Sequence, residues 1–468
     1  MSFRPPASPQ FWVLSAFLVF VFLTGGASRI DVQSLIILRP VSTIACALAL
    51  LTLRRDHLKR YKAVMTGFAA VLLVCVLHLV PLPPALWQAL PGREIIEEVD
   101  LAAGFGSTWR PLSMTPLNGW HSLLSLLTPL AVLLFGVQLN RTDLFRLLAV
   151  MLGIGALSGL IGILQVIGSP TGTLYFYRIT NNGSAVGLFS NRNHNALFLA
   201  SLFPMLAVFA SAASTTESRR RFRQVVSLGA IIVNVPLILV TGSRSGLIVG
   251  FIGLLAAVVL YRKPEKGRTS RKGGRRWRIG PAPFFAGIAV LCTGLLTVLF
   301  SRAEAFTRLF AQSTAEDNRT EFWTVSIDLI GKYFPWGSGL GSFVEAYQIA
   351  EPAGALNPLY VNHAHNDWIE ILMTLGLPGA ILLLAGLGIV AWQTLDLWRR
   401  ADETRPEANY GKMAGVVIGM MAIASAPDYP LRTPSLLSLL VCCLLWLFAA
   451  GRKVDAYYAS SPASRDVA

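Results

Sequence analysis

The feature that most constrains this chain is a series of apolar runs that recurs from residue 11 to residue 450. Several runs reach about 18 residues, and a helix of that length crosses the ~30 Å hydrocarbon core of a bilayer. No small-residue cleavage site follows Thr24, so the first run is expected to be a retained span and not a removed signal peptide. The pattern predicts an all-α integral membrane protein with about 12 transmembrane helices. The predicted spans are 11–25, 31–53, 63–81, 119–139, 144–167, 194–212, 225–241, 245–261, 283–300, 366–392, 412–426 and 434–450.

The charges of the chain fit a membrane topology better than a nucleic-acid surface. The net charge is +15, but the basic runs lie between apolar runs, the heaviest of them at 262–278. Loops rich in Lys and Arg mark the cytoplasmic side of a membrane protein and attract anionic lipids. If both termini are cytoplasmic, most of the 40 Lys and Arg fall in cytoplasmic segments. We therefore expect membrane lipids, and no nucleic acid, as partners.

We expect one polytopic membrane domain over residues 1–468, because no stretch has the composition of a separate soluble domain. The longest outer segment is 301–365, which lies between the ninth and tenth predicted spans. Short helices are expected inside it, for example at 319–333, and residues 451–468 are expected to form a short cytoplasmic tail. The five cysteines all lie in apolar runs, so they provide neither a disulfide framework nor a paired-cysteine metal motif.

The outer segments also carry the polar motifs that suggest chemistry. A glycine-rich stretch from Gly337 to Gly341 lacks the Gly-Lys-Ser/Thr of a nucleotide-binding loop, so a turn is expected there. No Asp-x-Asp motif, typical of a metal-held nucleotide-sugar site, occurs in the sequence. The other motifs are Asn191-Arg192-Asn193-His194 before a span, Gly242-Ser243-Arg244-Ser245-Gly246 between two spans, Arg319 with Trp323 four residues on, and His363-Ala364-His365-Asn366 opening a span.

In their order and on their common side, these motifs resemble the O-antigen ligase and O-antigen polymerase family of bacterial membrane proteins, over about residues 185–385. The resemblance implies a C-type glycosyltransferase-like fold in the bacterial inner membrane, with 301–365 as a large periplasmic catalytic loop. It implies an undecaprenyl-diphosphate-linked glycan as donor and lipid A-core or another glycan as acceptor. In that family, outer arginines hold the diphosphate and a loop histidine activates the acceptor hydroxyl. Carried over to the matching positions, these roles belong to Arg192, Arg244, Arg319 and His365, with inversion at the transferred sugar.

The chemistry of these residue types supports the same roles. A lipid diphosphate presents its charge at the membrane surface, and without a metal that charge needs fixed cations. Arginine provides them, because its planar guanidinium binds phosphate oxygens through two parallel hydrogen bonds and stays charged. Histidine ionises near pH ~6.5, so at neutral pH it can take a proton from an acceptor hydroxyl. His363 is the second candidate base beside His365, and either Asp367 or Glu370 is expected to orient the imidazole.

Several of these residues also have a purely structural interpretation. An arginine at a span end commonly anchors the topology, and Arg39, inside a predicted span, either binds diphosphate or extends its guanidinium outward to the surface. His194 either contacts the ligand or caps the following helix. A metal pair of His363 and His365 is disfavoured because no third histidine lies nearby, so neither a metal nor another cofactor is expected. The predicted substrate-binding residues are Arg39, Arg192, His194, Arg244, Arg319, Trp323 and Asn366.

The motifs are shared by two related activities. A ligase passes a finished glycan to lipid A-core, whereas a polymerase passes a growing chain to another lipid-linked repeat and builds O-antigen or exopolysaccharide. The resemblance slightly favours the ligase-like activity. A different class, a transporter or flippase of lipid-linked glycans, also suits about twelve spans, but transporters typically carry internal repeats and polar groups at mid-membrane. Here the polar groups gather in outer loops and no repeat is visible, so glycan transfer is the favoured function.

Overall fold

The computed structural model describes residues 6–212, 216–262, 314–356, 360–400 and 406–451, without the side chains of 314–320, Ala355 and Pro406. These residues are mostly helical. The two short strands β1 (Pro81–Leu82) and β2 (Arg110–Pro111) pair antiparallel, and single 3-10 turns occupy Ala353–Ala355 and Pro430–Arg432. The helices are α1 (Pro9–Thr24), α2 (Leu35–Thr52), α3 (Arg55–Arg60), α4 (Lys62–Leu77), α5 (Pro84–Trp87), α6 (Glu94–Ala102), α7 (Pro116–Ser125), α8 (Leu127–Gly136), α9 (Arg141–Ile167), α10 (Arg192–Ser211), α11 (Glu217–Val240), α12 (Arg244–Leu260), α13 (Thr314–Tyr333), α14 (Phe343–Ala350), α15 (Asp367–Arg399), α16 (Pro406–Ala424) and α17 (Pro434–Ala450).

The helices confirm the prediction of an all-α membrane protein. Among the described residues, six candidate spans are long and apolar enough to cross a membrane: α2, α7 with α8, α9, α10, α11 and α15. The shorter apolar helices α1, α4, α12 and α17 also fall on predicted spans. The predicted span 283–300, the start of the 301–365 segment and the tail after residue 451 lie outside the described residues. The count of twelve and the large loop therefore stay predictions.

The centre of the helical bundle is α10. Nearly all its side chains are buried, and it packs against α9, α11, α12 and α16. Small residues let α12 come close to it, because a Cβ at Gly246 would lie 2.5 Å from the Cβ of Ala196 and one at Gly253 would lie 2.7 Å from the carbonyl oxygen of Ala200. Close backbone approach through small residues is the common mode of helix packing in membranes. The first turns of α10 and α12 are therefore side by side.

Helix α15 is broken near its N-terminal end, at Gly376, and the break holds the loop before it. Gly376 has φ 59° and ψ −152°, a conformation open mainly to glycine. The backbone groups freed by this break are bonded by residues 335–341, which we call the glycine turn. Leu377 N donates to Pro335 O at 2.8 Å, and Gly339 N donates to Thr374 O at 2.9 Å. Irregular backbone at membrane depth requires such partners. Positive φ at Gly337, Gly339 and Gly341 confirms the turn predicted from sequence.

The segment that follows α4 covers the other side of the glycine turn. Met114 N donates to Ser338 O at 3.1 Å. The guanidinium of Arg93 is buried, and its Nη2 donates both to Leu112 O at 2.9 Å and to Gly337 O at 3.0 Å. Burial lowers the pKa of Arg93 to about 10, and its guanidinium lies 5.5 Å from the centre of the Tyr333 ring. The glycine turn is thus fixed between this segment and α15.

Candidate functional site

A cluster of ionisable side chains lies where α10, α15 and α17 begin and the loop 425–433 passes between them. The backbone N of Asp367, the first residue of α15, donates to Ser425 O at 2.9 Å. The amide of Asn193, in the first turn of α10, donates to Asp428 Oδ2 at 2.6 Å. Histidines from two chain regions meet here, so we call this region the histidine site: His194, His363, His365, Asp367, Glu370 and the loop 425–433.

His363 is held by a buried carboxylate. Its Nδ1 lies 3.0 Å from Oε1 and 3.2 Å from Oε2 of Glu370, whose side chain is 3% exposed. Since an ionised carboxylate only accepts, Nδ1 is the donor and the lone pair of the neutral ring is at Nε2. Glu370 Oε2 also accepts from the backbone N of Ala364 at 3.0 Å. One carboxylate therefore fixes the imidazole and the backbone between the two loop histidines.

Arg432 balances the carboxylates of α15. Its Nε donates to Asp367 Oδ1 at 3.1 Å, and its Nη2 lies 3.4 Å from Glu370 Oε1. Burial opposes the charge, but Glu370 and Asp367 outweigh burial and hold the pKa of Arg432 above its ordinary value. Asp367 also accepts from Ser425 Oγ at 3.0 Å. Of the two carboxylates expected to orient a histidine, Glu370 does so for His363, whereas Asp367 bonds Arg432 and Ser425; the alternative that assigned this role to Asp367 is wrong.

His365 adopts an unusual backbone conformation beside a second carboxylate. It has φ 50°, a region that non-glycine residues rarely occupy. Its Nδ1 is buried without a hydrogen-bond partner among the described residues and lies 3.8 Å from Asp428 Oδ1. The ring stacks on Phe322 of α13, with centroids 6.2 Å apart. Residues held in rare conformations cluster at functional sites, where the surrounding structure supports them.

His194 lies near the same oxygen of the same carboxylate. It is 1% exposed, its Nε2 lies 3.9 Å from Asp428 Oδ1, and neither ring nitrogen has a hydrogen-bond partner among the described residues. The cap of α10 is Asn191, whose side chain accepts from Asn193 N at 2.8 Å, so the interpretation of His194 as the cap is wrong. Buried imidazole nitrogens without partners are unusual in a merely structural position.

The three predicted loop and span-end arginines differ in what the structure describes. Arg192 and Arg244 are the first residues of α10 and α12, two helices whose first turns touch. Both are partly exposed at the end of the bundle where the histidine site lies. The N-terminal end of a helix carries a partial positive charge, so an anion is favoured beside the first turns of α10 and α12. Arg319 lies in α13, but its side chain is outside the described residues.

The other predicted substrate-binding residues have protein partners. Arg39 Nη1 lies 2.8 Å from Nδ1 of His121 on α7, so it pairs within the bundle instead of only extending to the surface. Trp323 Nε1 donates to Ala364 O at 3.0 Å. This bond holds residues 363–365, which we call the histidine segment, against α13. Asn366 caps α15, because its Oδ1 accepts from Trp368 N at 3.0 Å. Their role toward substrate stays a prediction.

A further cation, Arg29, lies next to the histidine site. Arg29 makes two hydrogen bonds to Asp31, at 2.9 and 3.0 Å, and one to the hydroxyl of Tyr360 at 2.6 Å. The bond to Asp31 raises the pKa of Arg29 against the effect of burial, and Tyr360 and Tyr429 add to that rise. Arg29 lies in the loop after α1, and its bond to Tyr360 ties that loop to the chain just before His363. Tyr429 belongs to the loop 425–433.

The site contains residues that the sequence motifs did not indicate. Asp428, Tyr429 and Arg432 lie in the last short loop, which reads Asp-Tyr-Pro-Leu-Arg-Thr-Pro between two apolar runs. The signal available was two charged residues of opposite sign in a seven-residue loop. The described residues contain no group of three or more His, Cys, Asp or Glu side chains arranged to hold a metal ion.

Comparison with known proteins agrees with the sequence motifs. No curated protein matches the chain. A family model described as O-antigen ligase matches residues 229–384. The matched stretch includes Arg244, Arg319, His363 and His365 and ends before the loop 425–433. Over these residues, the match confirms the resemblance to the O-antigen ligase family that the sequence motifs indicated.

Proposed function

We propose that this protein transfers an undecaprenyl-diphosphate-linked glycan to an acceptor at the periplasmic face of the bacterial inner membrane. The proposed acceptor is lipid A-core, as for an O-antigen ligase, and the reaction is metal-independent and inverting. The observation that supports it most is the meeting of His363, His365 and their carboxylates with the starts of α10 and α12, which carry Arg192 and Arg244. The match of residues 229–384 to the O-antigen ligase family model supports the same class of reaction.

The proposed step is a single displacement at the anomeric carbon. The acceptor oxygen attacks C1 of the donor sugar, the C1–O bond to the diphosphate breaks, and undecaprenyl diphosphate leaves with the electron pair. His365 takes the acceptor proton as its oxygen attacks. Guanidinium groups stabilise the negative charge that develops on the leaving group, as fixed cations do in other phosphate-releasing sites. No protein nucleophile is required, which agrees with inversion.

Supporting groups around the imidazoles suit this step. Asp428 lies 3.8 Å from His365 and 3.9 Å from His194, and Glu370 bonds His363. A carboxylate beside an imidazole stabilises the imidazolium that forms when the ring accepts a proton. The two loop histidines lie on opposite sides of Ala364, whose N–H is bonded to Glu370 and whose C=O accepts from Trp323. The segment is therefore rigid where proton transfer requires precise placement.

The test is transfer by purified protein in detergent, with a lipid-linked glycan as donor and lipid A-core as acceptor. His365→Ala is expected to abolish transfer and to be more severe than His363→Ala, at equal membrane levels. The reverse ranking would assign the proton to His363. If both variants keep near-full activity, or if the wild type forms no covalent product, the proposed reaction is refuted.

The same assay separates the polymerase of this family from the ligase. Elongated lipid-linked glycan without lipid A-core would indicate a polymerase of O-antigen or exopolysaccharide. A deletion strain gives an independent measure: lipid A-core without O-chain, together with accumulated lipid-linked polymer, is the result expected for the ligase.

A further inference from the structure

Tyr429 lies at the centre of the three histidines of the site. Its ring centroid is 4.5 Å from that of His363, 4.8 Å from that of His365 and 5.4 Å from that of His194. The residue is 7% exposed. These histidines come from two regions of the chain separated by more than 160 positions, so this one aromatic ring is a surface that all three imidazoles share.

The loop that carries Tyr429 is rigid. Pro430 and Pro434 restrict its backbone, and the 3-10 turn Pro430–Arg432 ends where Thr433 N and Thr433 Oγ1 both donate to Pro430 O, at 3.2 and 2.7 Å. Tyr429 N donates to Asp428 Oδ1 at 2.9 Å. The side-chain amides of Asn191 and Asn193 donate to the other oxygen of Asp428. The backbone that carries the ring is thus fixed on both sides of Tyr429.

From this geometry we infer that Tyr429 is the positioning residue for the loop histidines. The inference rests on the proposed function for its effect on catalysis. Glu370 fixes Nδ1 of His363, but His365 Nδ1 has no hydrogen-bond partner among the described residues. The orientation of His365 therefore depends on its ring contacts with Tyr429 and Phe322. Tyr429 acts through the imidazoles and does not itself need to touch substrate.

The nature of the ring contacts explains why an aromatic side chain is needed here. The planes of Tyr429 and His365 are inclined by 66°, and those of Tyr429 and His363 by 43°. Tilted and edge-to-face arrangements of aromatic rings are favourable and directional, whereas an aliphatic side chain gives contact without direction. We therefore expect the ring, more than the hydroxyl, to set the histidine geometry.

The experiment compares Tyr429→Phe and Tyr429→Leu in the full chain, purified in detergent. Tyr429→Phe keeps the ring and is expected to keep kcat. Tyr429→Leu removes the ring and is expected to lower kcat by about 100-fold, the order of loss that follows a 1 Å misplacement of a reacting group, with KM little changed. The matched control is Tyr333→Leu, because Tyr333 is also buried and its ring lies near Arg93 and Lys332. That control is expected to keep kcat in its folded fraction.

A second measurement does not depend on transfer. Diethylpyrocarbonate modifies unprotonated imidazoles, and peptide mass spectrometry gives its rate at His363 and His365. Tyr429→Leu is expected to change both rates, while Tyr429→Phe and Tyr333→Leu keep those of the wild type. Unchanged rates and unchanged kcat in Tyr429→Leu would overturn the positioning role, as would an equal loss in Tyr333→Leu. If His365→Ala keeps transfer, the proposed function fails instead, and the modification rates still decide whether Tyr429 positions the rings.

Discussion

Glu370 provides the sharpest single test of the histidine site, because a matched carboxylate lies three residues before it on α15. Glu370 bonds His363 and the backbone N of Ala364, and it faces Arg432. Asp367 is equally buried and faces the same Arg432, but its other partner is Ser425. Replacing each by its amide removes one negative charge near one guanidinium. Only Glu370→Gln disturbs the histidine segment.

The expected magnitude follows from the bonds that are lost. The amide oxygen of Gln can still accept one hydrogen bond, but its NH2 cannot accept the second, so either His363 or Ala364 loses a bond to a charged group. Such a bond is worth about 1.5–3 kcal/mol, which corresponds to a fall in kcat of roughly 10- to 150-fold if the transition state needs that geometry. Asp367→Asn weakens the contacts to Arg432 and Ser425 and is expected to lower thermal stability while keeping most of kcat.

The assay is the rate of glycan transfer at saturating donor, measured beside thermal unfolding followed by tryptophan fluorescence. Both variants are expected to unfold at a lower temperature than the wild type, and only Glu370→Gln is expected to lose kcat at a temperature where both are folded. An equal loss of kcat in Asp367→Asn would show that charge balance at Arg432, and not the histidine contact, controls the rate. Full activity in Glu370→Gln would show that the Glu370 carboxylate does not contribute to transfer.

Other variants probe the cations, the metal independence and the outer segment. Arg244→Ala and Arg319→Ala are each expected to abolish transfer at normal membrane levels, because each is proposed to hold diphosphate; near-full activity of both, read on a glycan gel, would contradict that role. EDTA is expected to have little effect on transfer, since the arginines neutralise the diphosphate; a loss that a divalent ion restores would contradict this. The Arg110 hydrogen bond lowers the pKa of Asp100, so its contribution is present above the unfolded value of about 3.9 and is lost only as pH falls through the lower folded value. Asp100→Asn is therefore expected to speed amide hydrogen exchange of residues 103–110 at pH 6, where the wild type stays protected; equal exchange in the two proteins would show that the ion pair does not hold this segment.

Local sequence patterns predicted the parts of the fold that depend on short-range physics. The apolar runs correspond to helices wherever the structure describes them, and the helix expected at 319–333 lies within α13. The glycine turn follows from residues that readily adopt positive φ, and His363 and His365 lie directly before α15 as the motif indicated. Each of these features depends on neighbours a few positions away.

The partners of the histidines were not predictable in the same way. Asp428 and Tyr429 lie more than 60 positions after His365, in a loop with no recognised motif. Their approach depends on how α16 packs against α10 and how α17 packs against α16, and periodicity carries no information about that. Asp367 and Glu370 were equivalent candidates for orienting an imidazole. In the structure, Arg432 donates to one oxygen of Asp367 at 3.1 Å, and it is Glu370 that bonds His363.

The charge balance of the histidine site favours one location for the diphosphate of the proposed donor. Asp367, Glu370 and Asp428 contribute three negative charges and Arg432 one positive charge, so with neutral imidazoles the cluster is negative. A negative environment favours an imidazole that gains a proton, but it repels a diphosphate. Arg432 already faces two carboxylates, so it has little capacity for a further anion. The diphosphate is therefore expected to lie toward the starts of α10 and α12, with the acceptor hydroxyl between it and the imidazoles. On this reasoning, Arg244→Ala should weaken the binding of undecaprenyl diphosphate. Asp428→Asn should leave that binding intact or strengthen it, while transfer falls. Weaker binding in Asp428→Asn would show that the diphosphate does not lie toward the starts of α10 and α12.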